Sequence, residues 1–469
     1  MSMKITTKKI FIILTMLFML GYASYSNIIA RATNSLSRYI LLGGILLFAM
    51  IANSDKNLLL KIPSKVPPYM LCWLLMGIFA LSGFARVKFG SLQIVICILF
   101  AFVSGSNDKW VDTALQIAKF LLFVFVFFTF FFFVFPRLYS IVTGFYGFIP
   151  DGTSRGAYPY RAGIASHYSI NALNISILLV IVAVKYISDN GITLKVHKES
   201  AFDFILIMLS FVALLMTSKR GVLVWSILAI GIFYILLNKG KVGNIVKILL
   251  IAFMLLGVLT ILAENSQIIA RVFDRFRVVG TSEDNSSAQR VAMWKLALSY
   301  FKQSPLFGTG FWTYRGFYSE NLSAEYSING KHTSIDAHNV YIQVLCETGI
   351  VGFMIYILAV GFLLYRTIIL LWSSENKPKA RQYLSLSLAL QLFYILYSFS
   401  GNCFYDMTFF YYALAMGITY SVETRMKNES RQSKLPTSRS TIRELYHSDD
   451  MNETVREKIY YENSDIDLS

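Results

Sequence analysis

The chain has 469 residues, 55% of them hydrophobic, and a mean hydropathy of +0.55. An ordinary soluble protein reaches about half apolar residues only when glycine is counted, so this composition excludes the soluble multidomain class. The formal charge of +16 would suit a nucleic-acid-binding protein, but lysine and arginine lie mainly in short connections between apolar segments. The positive-inside rule of membrane proteins requires that distribution, and we therefore expect no nucleic-acid partner.

Apolar segments close to the ~20 residues needed to cross a bilayer recur along the whole chain. Since a helix satisfies its own backbone hydrogen bonds in lipid, this pattern predicts an all-α polytopic membrane protein. The N-terminus resembles a signal peptide, but the many later spans favour an uncleaved first span. The twelve predicted spans lie near residues 10–30, 36–53, 67–85, 90–106, 114–135, 168–187, 201–217, 221–238, 244–263, 348–372, 381–399 and 403–421.

The distribution of charge predicts the topology. With the N-terminus in the cytoplasm, most connections rich in lysine and arginine fall on the cytoplasmic side. The chain then divides into nine spans in 1–263, one large extracytoplasmic helical loop in 264–347, three spans in 348–421 and a cytoplasmic tail in 422–469. The mixed charge and low apolar content of the tail predict disorder.

Residues 217–220, Thr-Ser-Lys-Arg, place two cations on the predicted outer side, against the charge rule. They are either ordinary scatter or cations kept there for an anionic ligand. The outer segments contain no Asp-x-Asp motif. We therefore expect no metal and no cofactor, and fixed cations would have to stabilise a departing anion. The cysteines are isolated and lack metal-binding spacing; they are Cys72, Cys97, Cys346 and Cys403.

The extracytoplasmic loop contains an amphipathic helix with an arginine near its start. Ser286 at the N-cap and Gln289 at the third position predict a capping box, with the helix ending before Pro305. Arg290 then falls in the first turn, where free N–H groups and the helix dipole attract an anion that a guanidinium would grip. The alternative is a surface arginine. The predicted apolar face consists of Val291, Trp294, Ala297, Leu298 and Phe301.

Two further arginines lie at predicted span ends on the outer side. Arg220 would be either a second phosphate ligand or an interfacial arginine that extends its side chain to the headgroups. Arg161 lies just before the sixth span, in a tyrosine-rich stretch that is also typical of membrane interfaces.

His338 and Asn339 form a pair at the predicted start of a helix near the end of the loop. Histidine accepts a proton near neutral pH and is the usual general base for activating a hydroxyl. A lone histidine is more often structural, but a loop histidine near outward arginines favours the catalytic reading. Gly308 and Gly310 follow Pro305, where they allow either a tight turn or close approach to a ligand.

Four stretches carry a family resemblance: TSKRG at a span start, QRVAMWKLAL in the loop helix, PLFGTGFW in the turn, and AHNVYIQVLCETGIVG. With them the chain resembles the O-antigen ligase and O-antigen polymerase family of bacterial surface-glycan enzymes, over roughly residues 150–372. The resemblance implies a metal-independent, GT-C-like membrane glycosyltransferase that uses an undecaprenyl-pyrophosphate-linked oligosaccharide at the outer face of the cytoplasmic (inner) membrane.

The same resemblance implies roles for individual residues. Arg220 and Arg290 would hold the pyrophosphate, and Arg161 would be a further cation on the donor side. His338 would act as base on the acceptor hydroxyl. Gly308, Gly310 and Asn339 complete the expected substrate-binding set.

Within this class we expect polymerisation of capsule, exopolysaccharide or O-antigen repeat units, with a chain-length regulator as a further partner. Ligation of the glycan to lipid A-core is the alternative, and transfer to protein is a third option. A flippase or transporter would also have about twelve spans, but it predicts charged pairs inside the spans rather than in one outer loop.

Overall fold

The computed structural model describes residues 2–32, 35–54, 66–84, 89–146, 159–191, 198–246, 285–322 and 335–432, and its elements in these ranges are helical. Residues 247–263 of the predicted ninth span, the loop up to residue 284 and the tail from residue 433 lie outside the described residues. The helices of the first half are α1 Ser2–Ala32, α2 Ser35–Asn53, α3 Pro68–Phe84, α4 Phe89–Ser104, α5 Val111–Val134, α6 Tyr139–Tyr146, α7 Pro159–Ala162 and α8 Tyr168–Asn190.

The second half begins with α9 and α10, which enclose the Thr-Ser-Lys-Arg motif, and then contributes the loop helices and three final helices. They are α9 Ala201–Thr217, α10 Arg220–Leu237, α11 Asn285–Gln303, α12 Tyr314–Asn321, α13 Val340–Ser373, α14 Pro378–Tyr397 and α15 Thr408–Gln432. Residues 423–432 at the end of α15 are the described part of a second compact unit.

Five described helical segments are long and apolar enough to cross a membrane, which agrees with a multi-pass membrane protein. They are Lys8–Ser26, Val111–Val134, Tyr168–Asn190, Arg220–Leu237 and Val340–Ser373. The shorter apolar helices are Ser37–Asn53, Pro68–Ser82, Gly90–Ser104 and Ala201–Thr217. The number twelve and the GT-C-like loop remain predictions.

Helix α8 is the centre of the helical assembly. Of its membrane-length window 83% is buried, against 33–39% for the other four candidate spans. It packs against α5, α9, α10 and α14. Protein covers the sides of α8 and also those of α14, whereas α5, α9 and α10 keep exposed apolar residues. The candidate site is built from the start of α8, the end of α9 and the starts of α10 and α13.

Helix α13 changes direction at Gly349, whose φ is 65°. Here it meets the turn after α11, in which Gly308 has a φ of 71°. A Cβ on Gly308 would lie 2.4 Å from the carbonyl carbon of Glu347, and a Cβ on Gly349 would lie 2.3 Å from the carbonyl oxygen of Leu306. Only glycine fits at either position, because both φ and the available space exclude a side chain.

The turn after α11 also satisfies backbone groups that the bend in α13 leaves without helical partners. The bonds are Thr309 N–H to Cys346 O (3.1 Å), Gly310 N–H to Glu347 O (2.9 Å), Ile350 N–H to Pro305 O (2.8 Å) and Val351 N–H to Leu306 O (3.2 Å). Gly308 and Gly310 therefore serve a tight turn that approaches the helix backbone. Their predicted contact with a ligand stays a prediction.

Candidate active site

Helix α13 begins at the predicted His-Asn pair. The Asn339 side chain caps the helix, accepting from Ile342 N–H at 3.1 Å. The His338 backbone has a φ of 54°, a left-handed conformation that is uncommon for a residue with a Cβ. Two contacts hold it: His338 N–H donates to Asn402 Oδ1 (3.1 Å), and Trp294 Nε1 donates to the carbonyl of Ala337 (3.0 Å). The helix start is thus fixed from both sides.

The half-buried imidazole of His338 lies close to two cations, Arg290 and Lys219. Burial, together with the positive charges of Arg290 and Lys219, lowers the pKa of His338 to about 4, while the carboxylate of Asp336 acts in the opposite direction. At neutral pH the ring is therefore uncharged and can accept a proton. A bound anion that neutralised the two cations would raise its basicity at the moment it is needed.

A buried polar network holds the main chain beside His338. Asp336, two residues earlier and 3% exposed, accepts from Arg315 through Nε (2.7 Å) and Nη2. Gln343 Nε2 also donates to Asp336 (3.1 Å), and the side-chain oxygen Oε1 of Gln343 accepts Ala337 N–H (2.9 Å). Such a two-point Arg–carboxylate pair fixes orientation as well as charge. The main chain on either side of His338 is accordingly held by side chains of α12 and α13.

Glu347 extends the network towards the turn after α11. Its carboxylate, 1% exposed, accepts the backbone N–H groups of Trp312 (2.8 Å) and Tyr314 (3.1 Å). Gln343 Nε2 lies 3.3 Å from the same carboxylate, so it links Glu347 to Asp336. Arg315 also covers the Trp312 ring at 5.0 Å. We call Arg290, Asp336 and His338, with these supporting residues, the histidine side of the site.

A second group of residues comes from the opposite elements and forms what we call the cation side: Arg161, Tyr168, Lys219 and Arg220. Arg161 donates Nε (3.2 Å) and Nη2 (3.1 Å) to the carbonyl of Thr217, the last residue of α9. The guanidinium of Arg161 and the ammonium of Lys219 both lie over the Tyr168 ring, at 4.5 and 5.0 Å. One aromatic ring thus contacts two like charges.

Arg220 opens α10 immediately after Lys219. The first turns of α10 pack against the connection between α14 and α15, where Trp225 Nε1 donates to Ser400 Oγ (2.7 Å). The same connection accepts Val340 N–H through Ser398 O (2.9 Å) and His338 N–H through Asn402 Oδ1. It therefore joins the starts of α10 and α13, and brings Arg220 to the same end of the molecule as His338.

Helix α11 departs from its predicted details. It begins at Asn285, so Arg290 is in the second turn rather than the first, and the attraction of a helix N-terminus contributes less than predicted. The predicted apolar face is wrong in part, since Val291 and Leu298 are 44% and 39% exposed. Ala297 is buried as predicted, and Met293 is buried in addition, because α12 packs on that side with Tyr314.

Several site residues were missed at the level of the sequence. The two cations at 217–220 pointed to Lys219 as well as to Arg220, but only Arg220 was named as a candidate site residue. Asn402 lies 64 residues from His338, and no sequence pattern points to that contact. Asp406 is a further half-buried group in the connection after α14. Burial raises the pKa of Asp406 to about 6, against hydrogen bonds from Thr408 that lower it.

The fold and the site define a class: a helical multi-pass membrane protein with cations around a neutral imidazole at one end of its helical assembly. Residues 205–357, about a third of the chain, match the family described as O-Antigen ligase. This stretch carries an O-antigen ligase domain and confirms the resemblance to the O-antigen ligase and polymerase family. The matched segment includes Lys219, Arg220, Arg290 and His338.

An uncharacterised protein of Haemophilus influenzae is 25% identical over 172 residues, which are 35% of this chain and 43% of that relative. The chain thus spans less than half of the length of the curated relative that it matches. This relative carries no functional description of its own.

Proposed function

We propose that this chain is a metal-independent membrane glycosyltransferase that moves a glycan from undecaprenyl pyrophosphate to a hydroxyl group on an acceptor. We further propose that it polymerises repeat units of a surface polysaccharide: capsule, exopolysaccharide or O-antigen. The observation that carries the proposal is the position of the His338 imidazole, uncharged at neutral pH and in electrostatic range of Arg290 and Lys219. A base and an anion-binding cluster are the two things such a transfer requires.

The proposed step needs no group beyond these side chains and the two substrates. The acceptor hydroxyl oxygen attacks the anomeric carbon while its proton passes to His338. The bond from that carbon to the diphosphate oxygen breaks, and the diphosphate departs with the electron pair. Arg290, Arg220, Lys219 and Arg161 would stabilise the charge that develops on it. Attack opposite the departing group inverts the anomeric configuration.

The donor class follows from where the site would lie. In the predicted topology the site is on the extracytoplasmic side of the cytoplasmic membrane, and nucleotide sugars do not cross bilayers. An activated donor must then arrive on a lipid. The bilayer would hold the polyprenyl tail, while the cations at the helix ends would hold the charged head.

Ligation is the second candidate function, and the description of the matching family as O-Antigen ligase favours it. In a ligase the acceptor would be lipid A-core rather than a second lipid-linked repeat unit. Both reactions use the same base and the same leaving group, so the described site suits either.

One reconstitution tests the proposal and separates its two forms. Purified full-length protein in proteoliposomes receives a lipid-linked repeat unit, with or without lipid A-core, and the products are separated by size. Polymerase activity gives a ladder without the core acceptor; ligase activity gives a single step that requires it. The matched control is Lys295→Ala, which removes an exposed cation from the helix that carries Arg290. Absence of either product with the wild-type protein would refute the proposed function.

A further inference from the structure

The turn after α11 exposes two large apolar side chains. Leu306 is 60% exposed and Phe307 64% exposed, and Pro305 precedes them. Single exposed apolar residues are normal on a protein surface and need no explanation. Whether Leu306 and Phe307 have a functional role therefore depends on the structural elements beside them.

The pair lies beside the membrane-spanning part of α13. The backbone bonds from Ile350 to Pro305 and from Val351 to Leu306 place the turn at the level of the bend. After Gly349 the helix still has 24 residues, 350–373. At 1.5 Å per residue this is about 36 Å, enough to cross a hydrocarbon core of about 30 Å. The bend thus coincides with the point where α13 enters the bilayer.

Leu306 and Phe307 extend a continuous exposed apolar face of α13. The exposed residues of that helix recur every three or four positions, as one face of a helix must. They are Ile350 (41%), Val351 (37%), Met354 (49%), Leu358 (41%) and Phe362 (43%). On a helix that crosses the membrane, this face meets lipid. The turn carries the same apolar surface past the end of the helix.

The charge beside the pair suits a lipid surface rather than a protein partner. Lys302 is exposed at the last turn of α11, one helical turn before Leu306. A lysine stem can lie along apolar surface while its ammonium reaches lipid phosphates. An apolar tip with a cation behind it is the arrangement found in segments that lie in the membrane interface.

We propose that Leu306 and Phe307 insert between the lipids of the leaflet beside the candidate site, and that the turn is an interfacial anchor. This goes beyond the proposed glycosyl transfer and does not depend on it. The anchor would hold the α11–α12 region at a fixed height above the membrane. His338 is 11 residues from Gly349, at most about 17 Å along the helix, so the imidazole is kept near the headgroups.

The test uses fluorescence depth measurement on the full chain. In a Cys72→Ala background the remaining cysteines are buried, so a single Phe307→Cys or Leu306→Cys can be labelled with an environment-sensitive dye. The protein is placed in nanodiscs of phosphatidylcholine and phosphatidylglycerol. Quenching is measured with nitroxide on lipid acyl carbon 5 and with aqueous iodide. The matched control is Gln303→Cys, a polar exposed position three residues before the pair.

A lipid anchor predicts strong nitroxide quenching at 306 and 307, at a depth of about 5–10 Å below the headgroups, with little iodide quenching. The dye at 303 should show the reverse. Equal iodide quenching at 303 and 307 would overturn the proposal, since the turn would then be in water. Shielding of 306 and 307 from both quenchers would also overturn it, because a protein surface would be the occupant. Glycan transfer is not part of the readout.

Discussion

The two sides of the site are held in different ways. On the histidine side, a nearly fully buried Asp336 and a buried Glu347 are tied by several side-chain and backbone hydrogen bonds. On the cation side, the contacts of Arg161 and Lys219 include one tyrosine ring and one backbone carbonyl. Breaking a buried ion pair costs about 3–5 kcal/mol, whereas a cation–π contact contributes about 0.5–2 kcal/mol. We infer that the base is preorganised more strongly than the cations, so that the cations adjust more readily to a ligand.

The largest expected effect comes from removing the base. His338→Asn should lower the transfer rate by about 10²–10⁴-fold, the usual contribution of general base catalysis. Asparagine is chosen because it tolerates the left-handed backbone at this position. The product ladder or ligation product in proteoliposomes measures it, with Lys295→Ala as control. An unchanged rate would remove His338 from the mechanism.

Asp336→Asn should weaken the histidine side and, with it, the whole fold. Arg315 would lose its counter-charge, and since Arg315 is 36% exposed we expect about 3 kcal/mol, the low end for a buried pair. Denaturant unfolding of the protein in detergent measures the change. Asp189→Asn in the exposed Lys185–Asp189 pair is the matched control, with an expected loss below about 1 kcal/mol. Equal losses would contradict the contrast between the two regions.

Lys219→Gln links the two sides through the pKa of His338. The wild-type pKa is about 4 in part because of the Lys219 charge, so the variant should have a higher one. Transfer needs the neutral ring, so activity falls as pH drops through that pKa. The acid limb of kcat/KM, which reports the free enzyme, should therefore move to higher pH.

The same variant should lose about tenfold in rate at pH 8, the equivalent of one charge-assisted hydrogen bond to the diphosphate. Lys219→Arg keeps the positive charge and should keep the acid limb in place. If the limb stays fixed in Lys219→Gln, the proposed coupling between Lys219 and His338 is absent.

Arg161→Lys should have a smaller effect. Lysine keeps the charge but loses the two-point contact with the Thr217 carbonyl. We expect about a threefold to tenfold rise in KM for the lipid-linked donor with little change in kcat, because the cation side adjusts. A collapse of kcat would show that this side is as rigid as the other.

Chelation should have no effect at all. The outer segments lack an Asp-x-Asp motif, and the proposed leaving group is stabilised by fixed cations. Transfer in EDTA should equal transfer in buffer. If EDTA abolished activity and a divalent cation restored it, the leaving group would be stabilised by a metal rather than by the arginine and lysine side chains.

Features that depend on neighbouring residues, such as apolar helices and helix caps, could be predicted from the sequence. Within the described residues, the apolar segments that predict spans lie in helices, and Asn339 caps α13 at the predicted His-Asn pair. A tight turn at Gly308 was one of the predicted alternatives, but no sequence pattern pairs Gly308 with Gly349, 41 residues later. Contacts such as His338 with Asn402 arise from packing between distant segments, and no periodicity encodes them. The apolar face of α11 was misassigned in part for the same reason, since the buried side is decided by α12, a separate segment of the chain.

The paired glycines have a consequence for how this protein can vary. A Cβ at either glycine would collide with the main chain of the other segment, so an alanine at either position displaces backbone rather than a side chain. In a saturation library selected for glycan production, positions 308 and 349 should stay invariant even when both are randomised together. The neighbouring Leu306 and Phe307 should exchange freely among large apolar residues. The two glycines that connect the loop to α13 would thus be conserved together, while the exposed residues beside them vary.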